Sequence, residues 1–242
     1  MWFNAFCKEL HTGYVPRSIM TKGSSTRKGN VYGNVILGNN DQLMISYRRE
    51  FSFDYTMDGA CGVLFEGAMH FFGGRDYFYG DGTDRQHFVI EATRSGETVK
   101  MRKKKDLDIG LFFPSCSSFE MTSEYFPWFQ TNVVILCFDY YHKKSCYLFD
   151  EKLTFIGSSN YEHLFGGLTK YKTNLLTVDD GTWKGWNQKT ELLERKRNGT
   201  FSWSVVEPEF GFPGAHSLVT VPPSDINEEF VILIGGMVGN YD

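Results

Sequence analysis

The chain has 242 residues and a net charge of −4, from 25 basic and 29 acidic side chains. This balance argues against a general nucleic-acid binder, which needs a basic excess to displace counterions from phosphates. No stretch approaches the roughly 20 apolar residues of a membrane helix, so membrane insertion is not expected. Aromatic residues make up 17% of the chain and favour strands, because they suit pleated, half-buried surfaces.

Short apolar clusters, separated by Gly, Asn, Asp or Pro, recur along the chain, and helical periodicity is nearly absent. The predicted strands, in chain order, are 34–37, 43–47, 51–55, 62–66, 69–72, 88–91, 99–102, 118–122, 133–139, 146–150, 153–156, 168–171, 175–179, 191–194, 201–206, 217–221 and 230–234. Asn198-Gly199 supplies a hairpin turn that needs positive φ. Short strands at this spacing indicate an antiparallel all-β fold.

An internal repeat narrows the fold class. In four segments an apolar strand ends in small or turn-forming residues: 69–74, 133–139, 175–180 and 231–236. Each of the first three is followed by a loop and a strand that ends in an acid, at Glu91, Asp150 and Glu194. Because such units bury their apolar faces only against neighbours, they are expected to stack around an axis.

Five features of the repeat are shared with one known family: Gly73-Gly74, Gly235-Gly236, the strand 147–150, Trp203 in a fourth strand, and the run 213–219. On these features, residues 59–242 resemble the kelch-repeat family, although the middle two segments lack the double glycine. The resemblance implies antiparallel four-stranded blades of a kelch-type β-propeller, about four blades or a fragment of a larger ring. Galactose-oxidase-like proteins share this propeller.

The chain divides into a loose leader at residues 1–30, N-terminal strands at 31–58 and the repeats at 59–242. Two arrangements remain open. The chain is a fragment of a longer propeller, or strands within 34–55 pair with the last hairpin and complete its blade. The N-terminus does not read as a signal peptide. The compartment is therefore unknown, and secretion stays open if this end is incomplete.

The chain has five cysteines. Cys137 and Cys146 flank a predicted turn at 142–144 and are placed to face each other across a hairpin. A disulfide there would suggest secretion, and the alternative is two buried thiols on adjacent strands. Asn198 begins an Asn-Gly-Thr glycosylation acceptor if the protein is secreted, although its Asn-Gly also explains itself as a hairpin turn.

Two groups of residues are candidates for partner binding. Trp183 and Trp186 lie in a long loop, and loop aromatics are enriched in recognition surfaces; otherwise they cover the rim of a blade. Lys103, Lys104 and Lys105 form the one dense basic patch and suit an anionic partner. The structural alternative is that they protect a blade's outer edge from pairing with other strands.

Catalytic motifs for nucleotide binding or hydrolysis are absent from the sequence. The six histidines are scattered, and a copper site like that of galactose-oxidase-like enzymes cannot be assembled from them. His70 and His216 are interpreted as strand residues. The acidic loop 76–84 lacks the spacing of a calcium loop. We therefore predict neither enzyme activity nor a cofactor.

The resemblance to kelch repeats implies a non-catalytic interaction module that binds a protein partner through its loop face, without identifying that partner. Two alternatives belong to other classes. One is a galactose-oxidase-like propeller enzyme whose catalytic residues lie outside this chain. The other is an extracellular carbohydrate-binding or structural protein.

Overall fold

The structure is a computed structural model, and it describes residues 3–6, 19–22, 29–37, 43–53, 58–66, 68–75, 83–92, 99–122, 130–164, 166–180, 187–206, 216–221, 223 and 228–235. Of these, the described residues up to 58 are described by their backbone alone. Across the described ranges, no helix has the length and apolar character needed to span a membrane.

Five antiparallel sheets follow one another along the described chain, four with four strands and the last with two. Sheet 1 contains β1 (Phe3–Phe6), β2 (Ile19–Lys22), β3 (Gly29–Leu37) and β4 (Leu43–Phe53). Sheet 2 contains β5 (Asp58–Phe65), β6 (Ala68–Arg75), β7 (His87–Ala92) and β8 (Val99–Lys103). Sheet 3 contains β9 (Ser115–Thr122), β10 (Gln130–Cys137), β11 (Ser145–Asp150) and β12 (Lys152–Ser158). Sheet 4 contains β13 (Gly167–Tyr171), β14 (Asn174–Asp180), β15 (Asn187–Arg195) and β16 (Phe201–Val206), and sheet 5 contains β17 (His216–Val221) and β18 (Phe230–Gly235).

The first strands of the sheets lie next to one another around a common axis. β5 contacts β9, β9 contacts β13, and β13 contacts β17. β1 contacts both β5 and β17, so this series of contacts returns to its start. In each sheet the strands are paired in sequence order and lead away from the first strand. This arrangement is a β-propeller, and it confirms the fold class predicted from the sequence.

The described N-terminal strands pair among themselves and not with the last hairpin. β1 and β2 lie within the segment expected to be a leader. β3 and β4 pair with each other, and β2 pairs with β3, whereas β17 and β18 form a separate sheet. The physical reason is local: only residues 38–42 separate β3 from β4, so their pairing closes a far shorter loop than pairing with residues 216–235.

Strand β10 has apolar side chains on both of its faces, as a propeller strand must. Val134 and Leu136 are fully buried in the core between sheets 2 and 3. Val133 and Ile135, which alternate with them, are buried in the core between sheets 3 and 4. Each such burial contributes roughly 1.5–3 kcal/mol. The stacking of neighbouring sheets therefore stabilises the ring.

Two disulfides lie within the described residues. Cys61 in β5 is joined to Cys116 in β9, which crosslinks the first strands of neighbouring sheets across 55 residues of sequence. Cys137 in β10 is joined to Cys146 in β11, its partner in the strand register, with Cα atoms 4.1 Å apart. One bridge therefore connects two sheets and the other lies within a hairpin.

Candidate functional site

Antiparallel pairing brings one set of strand ends to the same side of the ring. In sheet 2, Asp58 pairs with Arg75 and Phe88 pairs with Lys103, so β5 and β7 begin where β6 and β8 end. The linkers from sheet to sheet and the connections between second and third strands leave from these ends. We call this side the long-loop face, and its fully or almost fully described connections are 104–114, 138–144 and 159–166.

The linker 104–114 crosses the long-loop face from the outer edge of sheet 2 to the axis. Its Leu111 N–H donates to the Asp84 carbonyl at 2.8 Å, and its Phe113 N–H donates to the Gly59 carbonyl at 2.8 Å. Gly74 donates its N–H to the Leu111 carbonyl at 2.9 Å. The linker is therefore fixed to its own sheet by backbone hydrogen bonds.

An aromatic cluster (Phe112, Phe113, Tyr140 and Tyr141) lies where this linker meets the hairpin 138–144. The Tyr140 N–H donates to the Phe112 carbonyl at 2.7 Å. Ring centroids are 5.9 Å apart for Phe112 and Tyr140, and 5.7 Å apart for Tyr140 and Tyr141. Phe112 is buried, but Tyr140 is 45% exposed and Tyr141 is 53% exposed. The side chains of Tyr140 and Tyr141 are therefore both exposed to solvent, and the Tyr140 ring packs against the buried ring of Phe112.

Asp139 fixes the conformation of the hairpin that carries these tyrosines. Its buried carboxylate accepts the N–H of Tyr141 at 2.9 Å and the Nδ1–H of His142 at 3.1 Å. Burial raises the pKa of Asp139, although the hydrogen bonds from Tyr141 and His142 oppose that effect. The carboxylate replaces solvent for backbone groups that the tight turn leaves unpaired.

A buried carboxylate, Glu191 of β15, fixes the neighbouring linker 159–166. It accepts the N–H of Asn160 and of Tyr161, each at 3.0 Å, and the Asn160 side-chain amide at 2.7 Å. The ring of His163, which is fully buried, donates Nε2–H to the same carboxylate at 2.7 Å. Burial acts to raise the pKa of Glu191, but these hydrogen bonds, led by that of His163, hold it below 4.5.

The two connections that carry exposed aromatic side chains are tied to each other. The Ser159 N–H donates to the Lys144 carbonyl at 2.9 Å, and the His163 N–H donates to the Lys143 carbonyl at 3.1 Å. Tyr161, whose side chain is 36% exposed, lies in the same linker as Ser159 and His163. Glu191 thus positions part of the long-loop face through the linker, without itself being exposed.

The predicted basic patch is exposed at the outer edge of sheet 2. Lys103 is the last residue of β8, the edge strand, and pairs with Asp106 at 2.9 Å. The Lys104 N–H donates to the His87 carbonyl at 2.8 Å and so extends the edge by one residue. Lys105 lies beyond this pairing, in the linker. The first two positions fit edge protection, and all three belong to the long-loop face.

The other predicted site residues lie elsewhere. Trp183 and Trp186 are outside the described residues, although the flanking strand ends Asp180 and Asn187 pair on the long-loop face. Asn198 is exposed in the hairpin between β15 and β16, on the opposite side of the ring. Of the acidic loop 76–84, only Thr83 and Asp84 are described, in a short 3₁₀ turn.

His70 and His87 form a buried pair between sheets 2 and 3. His70 Nδ1 lies 3.1 Å from His87 Nε2, and the His87 ring stacks on Phe72 at 4.5 Å and meets the edge of Phe149 at 5.1 Å. Within the described part of the chain, no group of three or more His, Cys, Asp or Glu side chains is arranged to hold a metal ion. Both rings are buried, and that of His87 packs with Phe72 and Phe149 in the core.

Acid is expected to weaken the fold through His87. Burial first, and then His70 and Lys104, lower the pKa of His87 from 6.5 to about 4. The folded state favours the neutral ring, so its contribution to stability is complete above pH 6.5 and is lost as the pH falls towards 4. The loss is about 1.4 kcal/mol per pH unit at its steepest, and at most about 3.4 kcal/mol in total. Urea unfolding at pH 7 and pH 5 measures it.

We expect His87→Gln to reduce the difference in unfolding free energy between pH 7 and pH 5. An identical pH dependence in wild type and His87→Gln would contradict the assignment to His87.

Comparisons with known proteins give similarity in structure alone. No protein-family profile matches the sequence, and no curated protein is significantly similar to it. One similar solved structure is a novel fungal alcohol oxidase of the AA5 family in complex with copper, at 8% identity and a TM-score of 0.48. The alignment covers 84% of this chain and 54% of that one. Another is the structure of YjhT, at 9% identity and a TM-score of 0.41, covering 84% of this chain and 80% of that one.

The comparison with the oxidase corrects the prediction that this chain is not an enzyme. A structure similar to this one belongs to an alcohol oxidase, so that prediction is withdrawn. Enzyme activity is not shown for this chain either. The present chain spans about half the length of the oxidase chain.

Proposed function

We propose that this β-propeller binds a protein partner through the long-loop face, with the aromatic cluster at the centre of the contact. The single observation that carries the proposal is the exposure of Tyr140 and Tyr141 side by side on a buried aromatic base. Tyrosine is enriched in the centres of protein interfaces, where its ring is buried and its hydroxyl finds a polar partner.

The rigidity of this surface supports the proposal. Asp139 holds the tyrosine hairpin from within, and the linker that follows β12 is held by Glu191. Backbone hydrogen bonds from Ser159 and His163 then tie the linker to the hairpin. A surface whose loops are already ordered loses little conformational entropy on binding, so more of the contact energy appears as affinity.

The basic patch and the two tryptophans belong to the same proposal. Lys103, Lys104 and Lys105 give the outer part of the long-loop face a positive charge, which favours an acidic contact on the partner and a faster encounter. Trp183 and Trp186, which lie outside the described residues, remain predicted binding residues of the same partner.

Kelch-type repeats are the finer interpretation of the fold. Gly73-Gly74 lies in the last three residues of the second strand of sheet 2, Trp203 lies in the fourth strand of sheet 4, and His216 begins the first strand of sheet 5. These strand positions are those that the resemblance to kelch repeats implies. The resemblance implies protein binding, in agreement with the surface described above.

The double variant Tyr140→Ala/Tyr141→Ala is expected to weaken binding of the partner by at least about tenfold, since truncation of a hot-spot residue at an interface costs about 2 kcal/mol or more. The measurement is quantitative affinity capture from the protein's source, with immobilised wild type and variant compared by isotope-labelled mass spectrometry. A protein that depends on this face is retained by wild type and lost by the variant.

Phe155→Ala is the matched control. Phe155 is an exposed aromatic residue, at 58%, but it lies in the outer strand β12. Proteins whose capture falls equally in both variants bind exposed aromatic side chains non-specifically. If every captured protein binds wild type and the double tyrosine variant equally, the aromatic cluster is not the contact centre.

A further inference from the structure

We propose that Asn198 carries an N-linked oligosaccharide. Asn198-Gly199-Thr200 has the Asn-x-Thr pattern that glycan transfer requires, and it is the one such pattern in the 242 residues. The sequence alone did not decide between a glycosylation acceptor and a simple Asn-Gly hairpin turn. Two structural observations, one on the site and one on the cysteines, favour glycosylation.

The acceptor site is fully presented to solvent. Asn198 lies at the tip of the hairpin between β15 and β16, and every residue from 194 to 200 is exposed. The Thr200 hydroxyl donates to Asn198 Oδ1 at 2.6 Å, and the Thr200 N–H donates to the same oxygen at 3.1 Å. The hydroxyl that the pattern requires is thus already next to the acceptor amide, and an attached sugar would meet solvent rather than the core.

The cysteines indicate the compartment in which such a transfer takes place. All four cysteines in the described part of the chain are paired, Cys61 with Cys116 and Cys137 with Cys146. Each bridge forms when two thiols lose two protons and two electrons to a thiol-oxidising catalyst. Such bridges persist in oxidising compartments, above all in the secretory route, and are rare where glutathione keeps thiols reduced.

The transfer itself needs a lipid-linked oligosaccharide as donor. The Asn198 amide nitrogen attacks the anomeric carbon of the first sugar, one C–N bond forms, and one C–O bond to the polyprenyl diphosphate breaks. The amide loses one proton and the polyprenyl diphosphate is the leaving group. The hairpin lies opposite the long-loop face, so the glycan leaves the proposed binding surface open.

The test is digestion of the protein isolated from its native source with a peptide-N-glycosidase. We expect a single step to lower apparent mass on gel electrophoresis, seen as faster migration, and conversion of Asn198 to Asp in the peptide that contains it. In the same sample, alkylation without a reductant is expected to leave Cys61, Cys116, Cys137 and Cys146 unlabelled. An Asn198 that is found unmodified before digestion overturns the proposal.

Three variants secure the assignment when the full chain is produced in the same host. Asn198→Gln and Thr200→Ala are expected to lose the mobility step completely, whereas Thr200→Ser keeps the pattern and is expected to keep the step. Both positions are exposed, so the three variants should fold like wild type. A step that persists in Asn198→Gln overturns the proposal. Retained capture of partners by Asn198→Gln separates this result from the test of the binding face.

Discussion

Replacing Glu191 with alanine is expected to lower the free energy of unfolding by about 3 kcal/mol or more, because it removes a buried carboxylate that accepts four hydrogen bonds and leaves their donors without an acceptor. The His163 ring and the N–H groups of Asn160 and Tyr161 all donate to this carboxylate. Each donor that remains buried without an acceptor adds its own desolvation cost. Urea unfolding, followed by fluorescence, measures the loss.

Glu194→Ala is the control, because Glu194 lies in the same strand but is exposed. Its effect is expected to stay within about 0.5 kcal/mol. Glu191→Gln should fall between the two, since it retains one acceptor oxygen. If Glu191→Ala and Glu194→Ala are equally stable, the linker 159–166 is held by other contacts.

Lowering the pH is expected to destabilise the fold through the same carboxylate, because the pKa of Glu191 is lowered in the folded state. The folded state holds the pKa of Glu191 below 4.5, so its stabilising effect is present above the unfolded pKa and is lost as the pH falls through the folded one. The loss begins near the acid end of the range in which His87 acts. An acid series on wild type and on His87→Gln therefore separates the two contributions.

Gly73→Ala is expected to be destabilising by more than about 3 kcal/mol. Gly73 has a φ of +70°, and a left-handed conformation costs a residue with a Cβ about 1–2 kcal/mol. A Cβ there would also overlap the carbonyl oxygen of Leu111 in the crossing linker. Since Gly74 donates its N–H to that same carbonyl, the linker has no room to move away without losing a hydrogen bond.

Gly199→Ala separates the two causes of this loss. Gly199 also has a positive φ, +81°, but a Cβ there would come no closer than 3.9 Å to its nearest neighbour, the end of the Arg195 side chain. It is expected to cost only the conformational term, about 1–2 kcal/mol. Equal unfolding free energies for the two variants would contradict the close approach of the linker to Gly73.

The strands were predictable because their signal is local. From β5 onwards, each predicted strand corresponds to an observed one. An apolar run of four to seven residues bounded by turn residues is too short for a typical helix, so it buries its side chains as a strand. β1 and β2 were missed for the same reason. They have four residues each and mixed polarity, and their pairing with β3 is decided by tertiary contact rather than by pattern.

The candidate site was predictable only in part. The lysines at 103–105 stand out as a run, whereas Glu191 and His163 are 28 residues apart with no pattern linking them. Tyr140 and Tyr141 had a usable signal: adjacent aromatic residues beside a turn cannot both point into one core. The sequence-based interpretation placed the turn at 142–144 and extended the strand to Asp139, so it left these two tyrosines unassigned.

The most direct test of the proposed function places a photoreactive benzophenone amino acid at position 141, or at position 155 as the control, in the full chain. Both positions are exposed aromatic sites, but only Tyr141 belongs to the aromatic cluster of the long-loop face. On irradiation in an extract of its source, the chain labelled at 141 is expected to form a discrete cross-linked product with one protein that the chain labelled at 155 does not form. Products that are the same from both positions would contradict a binding surface on the long-loop face.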